Sequence, residues 1–205
     1  MRKISRRQFG RKCLALGAGA SALAIGRNVF AKRSEPDLKF PAEPRERLAV
    51  ASWPFRMLIE APTNRWARDP KLPGMDLKDF AAVVIEKFGL RKIEPLSDHF
   101  RSTEAAYLGE FREALEKAGA SVVNISVGGD ASFYDPDSSR RREAVEYAKK
   151  WLGIAVALGS PSIRAHIARA PNAKPDVARA AESLAQLAGT ARRRMSSLLW
   201  KTTTW

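Results

Sequence analysis

A three-part pattern repeats along this chain: an amphipathic run, a glycine, and then a short apolar segment. Gly89, Gly119 and Gly159 each close such a run, and the apolar segments that follow them span residues 92–96, 122–127 and 162–167. Gly189 closes a fourth run at a similar interval. Glycine is favoured in the left-handed position just past a helix end, so each amphipathic run is predicted to be a helix and each apolar segment a strand. Such helix–glycine–strand units, repeated every ~30–40 residues, predict consecutive βα units and therefore a parallel sheet.

A further strand is predicted at residues 48–53, which gives four strands alternating with four helices. The strands are short and do not alternate cleanly, as expected when both faces of a sheet are buried. The predicted fold class is α/β, of the (β/α)8 TIM-barrel type, with roughly its first four βα units present. A doubly wound sheet is the alternative, but no Gly-rich phosphate loop follows the first strand.

The net charge of +14 is concentrated at the two ends of the chain. Residues 1–31 carry seven Lys and Arg and no acidic residue, and residues 192–205 carry four and none. The segment between them holds 25 basic and 22 acidic residues. A nearly balanced middle segment argues against nucleic acid as a partner.

Residues 1–31 resemble a twin-arginine signal peptide. A basic start containing Ser5-Arg6-Arg7-Gln8-Phe9-Gly10-Arg11 precedes a weakly apolar stretch of about a dozen residues, too short to span a bilayer. The resemblance implies that residues 5–11 bind the twin-arginine translocase. It also implies a periplasmic or other extracytoplasmic location, with no stable membrane span after cleavage. The single cysteine, Cys13, lies in this leader, so the remainder has no cysteine metal site.

The ends of three predicted strands carry the residues of a second resemblance. Trp53-Pro54-Phe55 stands at the first strand end, Ile93-Glu94 at the second, and Ile163-Arg164-Ala165-His166 at the fourth. Their order resembles the xylose isomerase-like barrel family of sugar-phosphate isomerases and epimerases, whose fold is shared with a zinc endonuclease. The resemblance implies that residues 47–191 form the N-terminal half of such a barrel, after a linker at 32–46.

This resemblance implies a divalent metal, Mn, Mg or Zn, at the C-terminal mouth of the intact barrel. In the family its first ligand is a glutamate in an apolar run ending in Glu-Asn on the fifth strand, and later strands supply Asp, His and Glu ligands. A fifth strand should follow Gly189, but residues 192–205 contain no carboxylate and are not apolar enough for a buried strand. We therefore expect a truncated chain that holds no metal, has no isomerase turnover and is poorly stable.

The codons of the tail indicate what happened to the fifth strand. Trp is encoded by TGG, Lys by AAA or AAG, and Thr by codons that begin with AC. When the gene is read from the last base of the Trp200 codon, Lys201 and Thr202 yield Glu followed by Asn or Asp, whichever synonymous codons are used. This Glu-Asx pair predicts a frameshift near residues 190–194 and an out-of-frame tail at 192–205. Resequencing the gene should find an apolar run before that pair and an open frame after it; an undisturbed upstream frame would contradict the prediction.

Two predicted strand ends carry candidate catalytic residues, Glu94 and His166. Glu94 follows an apolar strand, where a barrel enzyme places its substrate or metal contacts. The alternative is a carboxylate paired with Arg91, Lys92 or Arg164. His166 and Arg164 are two positions apart on a strand and therefore leave it on the same face. Together they suit an oxyanion or sugar hydroxyls, with His166 able to exchange a proton; the alternative is a hydrogen-bonded core histidine.

Four further residues are candidates for substrate binding beside Arg164. Trp53 and Phe55 are predicted to stack on a sugar face, although aromatic residues in this position also serve as barrel plugs. Asp98 and His99 follow the second strand and are predicted to rim the pocket, unless they form a solvated loop. The sequence thus predicts an exported, metal-dependent sugar isomerase or epimerase in its intact parent. The alternative is a non-catalytic exported protein that binds carbohydrate, or another partner, in the same pocket.

Overall fold

The computed structural model describes residues 41–66, 70–171 and 173–201, with the backbone alone from residue 195 onward. The signal peptide predicted at 1–31 and most of the linker predicted at 32–46 lie outside the described residues. None of the described helices is long and apolar enough to cross a membrane.

The described residues form five short strands and four α-helices. The strands are β1 (Val50–Ala51), β2 (Lys92–Glu94), β3 (Ser121–Val122), β4 (Ile125–Val127) and β5 (Ile163–Ala165). The helices are α1 (Phe80–Phe88), α2 (Ala105–Ala118), α3 (Ser138–Ala157) and α4 (Val177–Lys201). One helix separates β1 from β2, β2 from β3, and β4 from β5, as the repeated pattern predicted, whereas β3 and β4 follow each other directly within the third predicted strand.

All strand pairs are parallel. β2 lies between β1 and β3, and β4 pairs with β5. An isolated bridge from Leu96 to Ser126 continues the contact of the second strand with β4. Parallel strands with intervening helices confirm the predicted α/β class and are consistent with part of a barrel.

The third predicted strand, 122–127, is interrupted. Val122 pairs with Ile93, and Ser126 pairs with Leu96. These two pairs are four residues apart along the third predicted strand but only three residues apart along the second. The extra residue is a bulge at residues 123–124. The Oδ1 atom of Asn124 there accepts a hydrogen bond of 2.8 Å from the Ser162 hydroxyl.

Glycines end the first two helices as predicted. Gly89 and Gly119 follow α1 and α2 with φ angles of 64° and 60°, where a side chain would be strained.

The expectation that Gly189 ends the fourth helix is wrong, because α4 runs through it to Lys201. A glycine within a helix costs only about 1 kcal/mol relative to alanine. The alanine and arginines at 191–194 that follow it favour helix. The predicted domain boundary at 191/192 therefore falls inside a helix, and the frameshift stays a prediction.

The helices and strands enclose two groups of buried apolar side chains. The larger group joins α1, α2, α3 and the strands and includes Phe80, Ile93, Phe111, Ile125 and Trp151. The smaller group lies between α3 and α4 and is formed by residues such as Phe133, Val145, Leu152 and Leu187. Both groups contact the strands, because Ile93 and Ile125 belong to the larger one and Ala165 packs against the smaller one.

A long loop connects β1 to α1. Its neck is closed by Ile59 and Met75, which form a parallel bridge with hydrogen bonds of 2.8 and 2.9 Å on either side. Asp76 then starts the next turn by accepting a hydrogen bond from the backbone N–H of Lys78. The hydroxyl of Tyr107 donates to the same carboxylate at 2.7 Å, and burial raises the tyrosine pKa. The loop is thus anchored to α2 at its base.

Candidate sugar-binding site

A cavity of about 420 Å³ opens at the C-terminal ends of β1, β2, β4 and β5, and is called the central cavity below. Its main polar and aromatic lining residues are Trp53, Glu94, Asp98, Ser126, Arg164 and His166. Parallel strands end at one edge of a sheet, so residues distant in sequence meet there. Five of these six residues were candidates from the sequence, and Ser126 was not.

Arg164, on β5, contacts side chains of two other strands in the central cavity. Its Nη2 atom donates hydrogen bonds to the Ser126 hydroxyl at 2.7 Å and to Glu94 Oε1 at 3.2 Å. Ser126 and Arg164 are directly paired in the β4–β5 register, so their side chains lie on the same face. Glu94 is therefore paired with Arg164, one of the partners considered from sequence, and still lines the cavity.

His166 lies at the end of β5 with its side chain exposed. Its backbone N–H donates to the Val127 carbonyl at 2.9 Å, which fixes the strand end. Arg164 and His166 both line the central cavity, as their spacing indicated. This arrangement brings a cation, a carboxylate and an imidazole to one concave surface.

Trp53 forms one wall of the central cavity and is 46% exposed. The Arg56 guanidinium lies 4.7 Å from the centre of its ring and 4.8 Å from that of Trp66. The two indole rings meet edge-to-face at 5.5 Å. Arg56 thus fixes the orientation of Trp53 through cation–π contacts.

Phe55 is placed differently from its expected role as a sugar platform. Its ring packs against Phe80 at 5.2 Å and against Phe88 at 6.1 Å, and it belongs to the margin of the larger apolar core. It does not line the central cavity. After β1 the chain enters a 3₁₀ turn, Trp53–Phe55, which directs the two aromatic side chains to different places.

His99 is also placed differently from the expected pocket rim. It is fully buried, and its Nδ1 lies 2.9 Å from the hydroxyl of Ser52, which is itself fully buried. That hydroxyl accepts from the N–H of Leu96, so its own hydrogen is available to donate to Nδ1. The ring proton then resides on Nε2, which has no hydrogen-bond partner among the described residues. Burial lowers the pKa of His99 to about 4, so its ring is neutral at pH 7.

A second cavity of about 440 Å³ adjoins the first and is called the side cavity below. It lies between the loop after β4 and helix α3, and Arg65, Asp130, Glu143 and Tyr147 contribute to its lining. Arg65 Nη2 donates to Asp130 Oδ1 at 2.7 Å. Asp98 lines both cavities and accepts a hydrogen bond of 3.0 Å from the Ser97 hydroxyl.

The sequence and the architecture identify the same family. The family model described as xylose isomerase-like TIM barrel matches residues 83–199, which is more than half of the chain. The chain belongs to this family. No curated protein sequence gives a significant match.

Solved structures of similar fold agree with this xylose isomerase-like assignment. D-psicose 3-epimerase with D-tagatose from Clostridium cellulolyticum H10 is 17% identical, with a TM-score of 0.52 over 59% of this chain and 45% of that one. A candidate xylose isomerase from Rhodospirillum rubrum ATCC 11170 is also 17% identical, with a TM-score of 0.50 over 72% of this chain and 50% of that one. The chain therefore spans about half the length of these structures, and identity this low shows the fold alone.

The described residues of this xylose isomerase-like chain do not fit a divalent metal by themselves. They contain no group of three or more His, Cys, Asp or Glu side chains arranged to hold an ion. Glu94, the carboxylate at the end of β2, is engaged by Arg164. Metal chemistry at this site would need ligands from outside the described residues.

Sequence reasoning did not assign a role in the site to Ser52, Arg56, Ser126 or Tyr147. Ser126 is the direct strand partner of Arg164, a relation that appears only once the register of β4 and β5 is known. Tyr147 lies in the middle of α3, and its contact with the loop after β4 appears only once the fold is known. Arg65 lines the side cavity as well.

Proposed function

We propose that the central cavity binds a sugar or sugar phosphate for isomerisation or epimerisation. The observation that carries the proposal is the convergence of Trp53, Glu94, Arg164 and His166 on one cavity at the C-terminal ends of barrel strands. This is the edge at which enzymes of the TIM-barrel fold place their active sites. A solved structure of similar fold is an epimerase with a bound sugar, D-tagatose.

Each lining residue has a defined part in this proposal. Trp53 presents an aromatic surface to the apolar face of a sugar ring. Arg164 donates hydrogen bonds to hydroxyl or phosphate oxygens while it holds Glu94 in place. Glu94 and His166 are the groups able to take a proton from one carbon or oxygen of the sugar and return it to another. The divalent metal of intact relatives, Mn, Mg or Zn, would need further ligands.

A non-catalytic carbohydrate-binding protein is the second candidate. It is favoured by the ion pair between Glu94 and Arg164, at 3.2 Å, because this contact already engages an oxygen of the carboxylate that catalysis would require. The two candidates differ in a measurable property, because only an enzyme would catalyse the exchange of a carbon-bound sugar hydrogen with solvent.

The first test measures binding. Trp53→Ala should weaken the binding of the best monosaccharide ligand by about tenfold, because the stacking surface is lost. Phe55→Ala is the matched control: it should destabilise the fold by about 2 kcal/mol and leave sugar affinity unchanged, because Phe55 packs in the core. Calorimetric titration and thermal unfolding give these quantities. Equal losses of affinity in the two variants would contradict the proposed site.

The second test separates enzyme from binding protein. Sugar is incubated with the protein in deuterated water, with and without Mn²⁺, and exchange of the hydrogen next to the carbonyl is followed by NMR. An isomerase or epimerase should show exchange that Glu94→Gln abolishes while binding persists. Binding without exchange, under every metal condition, would instead establish the carbohydrate-binding candidate.

We also propose export by the twin-arginine route to the periplasm or another extracytoplasmic space. The proposal depends on the sequence of residues 5–11 and on their interaction with the translocase. A fusion of residues 1–40 to a reporter should lose export when Arg6 and Arg7 are both replaced by lysine.

A further inference from the structure

The central and side cavities have a common wall. Asp98, Val127, Gly128 and His166 line both of them. The two spaces are therefore neighbours on either side of the end of β4. Each is within the size range of small-molecule pockets, so a single sugar ring in the central cavity leaves the side cavity open.

The side cavity has an apolar floor and a polar rim. Its floor consists of small or buried apolar side chains, including Ala131, Phe133, Ala144 and Ala148. Thr63, Arg65, Asp130 and Glu143 supply hydroxyl, guanidinium and carboxylate groups around this floor. A pyranose or furanose ring has a matching distribution, with C–H groups on one face and hydroxyls around its edge. Carboxylates accept hydrogen bonds from such hydroxyls, and arginine donates to them.

Two glycines in the wall of the side cavity lie close to side chains. A Cβ atom added at Gly129, whose φ is 136°, would lie 3.4 Å from the Tyr147 ring. At Gly128 an added Cβ would lie 3.1 Å from Asp98 Oδ1. Arg65, another lining residue, contacts Asp130 at 2.7 Å and Asp98 at 3.9 Å. The Tyr147 ring and the Gly129 backbone thus form one wall of the side cavity, and charged groups line it elsewhere.

We infer that the side cavity receives a second sugar ring, joined through a glycosidic bond to the ring in the central cavity. The substrate class would then be disaccharides or longer glycans rather than single sugars. The inference rests on the proposed function of the central cavity and extends it. Tyr147 would contact the apolar face of the second ring, and Asp130 and Glu143 would accept its hydroxyl hydrogens.

The test compares sugars that differ by one ring. Affinities of the full chain are measured by calorimetry for glucose with cellobiose and maltose, fructose with sucrose, and galactose with lactose. At least one disaccharide should bind about tenfold more tightly than its parent monosaccharide. Tyr147→Ala and, independently, Glu143→Gln should remove this gain and leave monosaccharide affinity within about twofold of its original value.

A control residue lies on the same helix. Glu146 is paired with Lys149 at 2.7 Å and lines neither cavity, so Glu146→Gln should leave every affinity unchanged. The phenyl glycoside of the parent monosaccharide, with the same anomeric linkage as the disaccharide that gains affinity, distinguishes a second sugar from any flat ring. A gain as large as that of this disaccharide would overturn the assignment of a sugar, because the polar rim would contribute nothing.

The remaining outcomes separate this inference from the proposed function. If monosaccharides bind and no disaccharide binds more tightly, the second ring is excluded while the central site stands. If a disaccharide gains affinity that neither Tyr147→Ala nor Glu143→Gln reduces, the side cavity is not its site. If no sugar in the panel binds, the proposed function fails and this inference fails with it.

Discussion

Lowering the pH from 7 to 4 should reduce the free energy of unfolding by about 3 kcal/mol through His99 alone, since one pKa unit corresponds to about 1.4 kcal/mol. The pKa of this histidine is about 4 in the folded chain because its ring is buried, against 6.5 for an exposed imidazole. Between pH 4 and pH 6.5, the imidazole of His99 therefore binds a proton in the unfolded chain but not in the folded chain. The stabilising contribution is therefore complete above pH 6.5, is lost as the pH falls toward 4, and changes little below that value.

Urea titrations between pH 7 and pH 4 measure this loss. His99→Gln keeps a polar side chain near Ser52 but removes the titrating group, so its loss of stability should be smaller than that of the unmodified chain by about 3 kcal/mol. The chain contains one other histidine, His166, which is exposed. His166→Asn should retain the full loss. A His99→Gln protein with an unchanged pH dependence would show that His99 is not protected from water.

Phe111→Ala should destabilise the chain by about 3–5 kcal/mol, because the ring is fully buried and its surroundings relax only partly around the space that it leaves. Phe111 is fully buried in the larger core, with Phe100 at 5.7 Å and Tyr107 at 6.4 Å. Chemical denaturation at pH 7 measures the change. A loss this large approaches the whole stability of a marginal domain.

Phe88→Ala is the matched control for Phe111. The same ring is removed at the exposed end of α1, where 44% of the residue contacts solvent. The loss there should be about 1 kcal/mol or less. Similar losses at the two positions would mean that the buried and exposed sides of the fold have been wrongly assigned.

The fold class and the convergence of three site residues could be predicted because local rules determine them. Glycine after a helix end gave the helix–strand units, and parallel strands place their ends at one edge. Glu94, Arg164 and His166 lie within or directly after strands, where successive side chains alternate between faces. Their approach to a common cavity followed from these two facts.

The positions of Phe55 and His99 could not be predicted in the same way. Each lies in a 3₁₀ turn after a strand, Trp53–Phe55 and Ser97–His99 respectively. Two-residue alternation does not apply within such a turn, so one aromatic ring enters the cavity wall and the next enters the core. The side cavity was also missed, because it requires a helix residue, Tyr147, to meet a loop from elsewhere in the sequence.

The bulge at residues 123–124 determines which chemical surface β4 offers to the central cavity. Beyond it Ile125 belongs to the apolar core, while Ser126 faces Arg164. Removal of one residue from this short connection would shift the following residues by one position and turn each of their side chains to the opposite face of the sheet. Val127 would then stand where Arg164 needs a hydroxyl, and Ser126 would point into the apolar core. Length variation should consequently be rare at this point among homologous chains, and far commoner in the anchored loop that precedes α1.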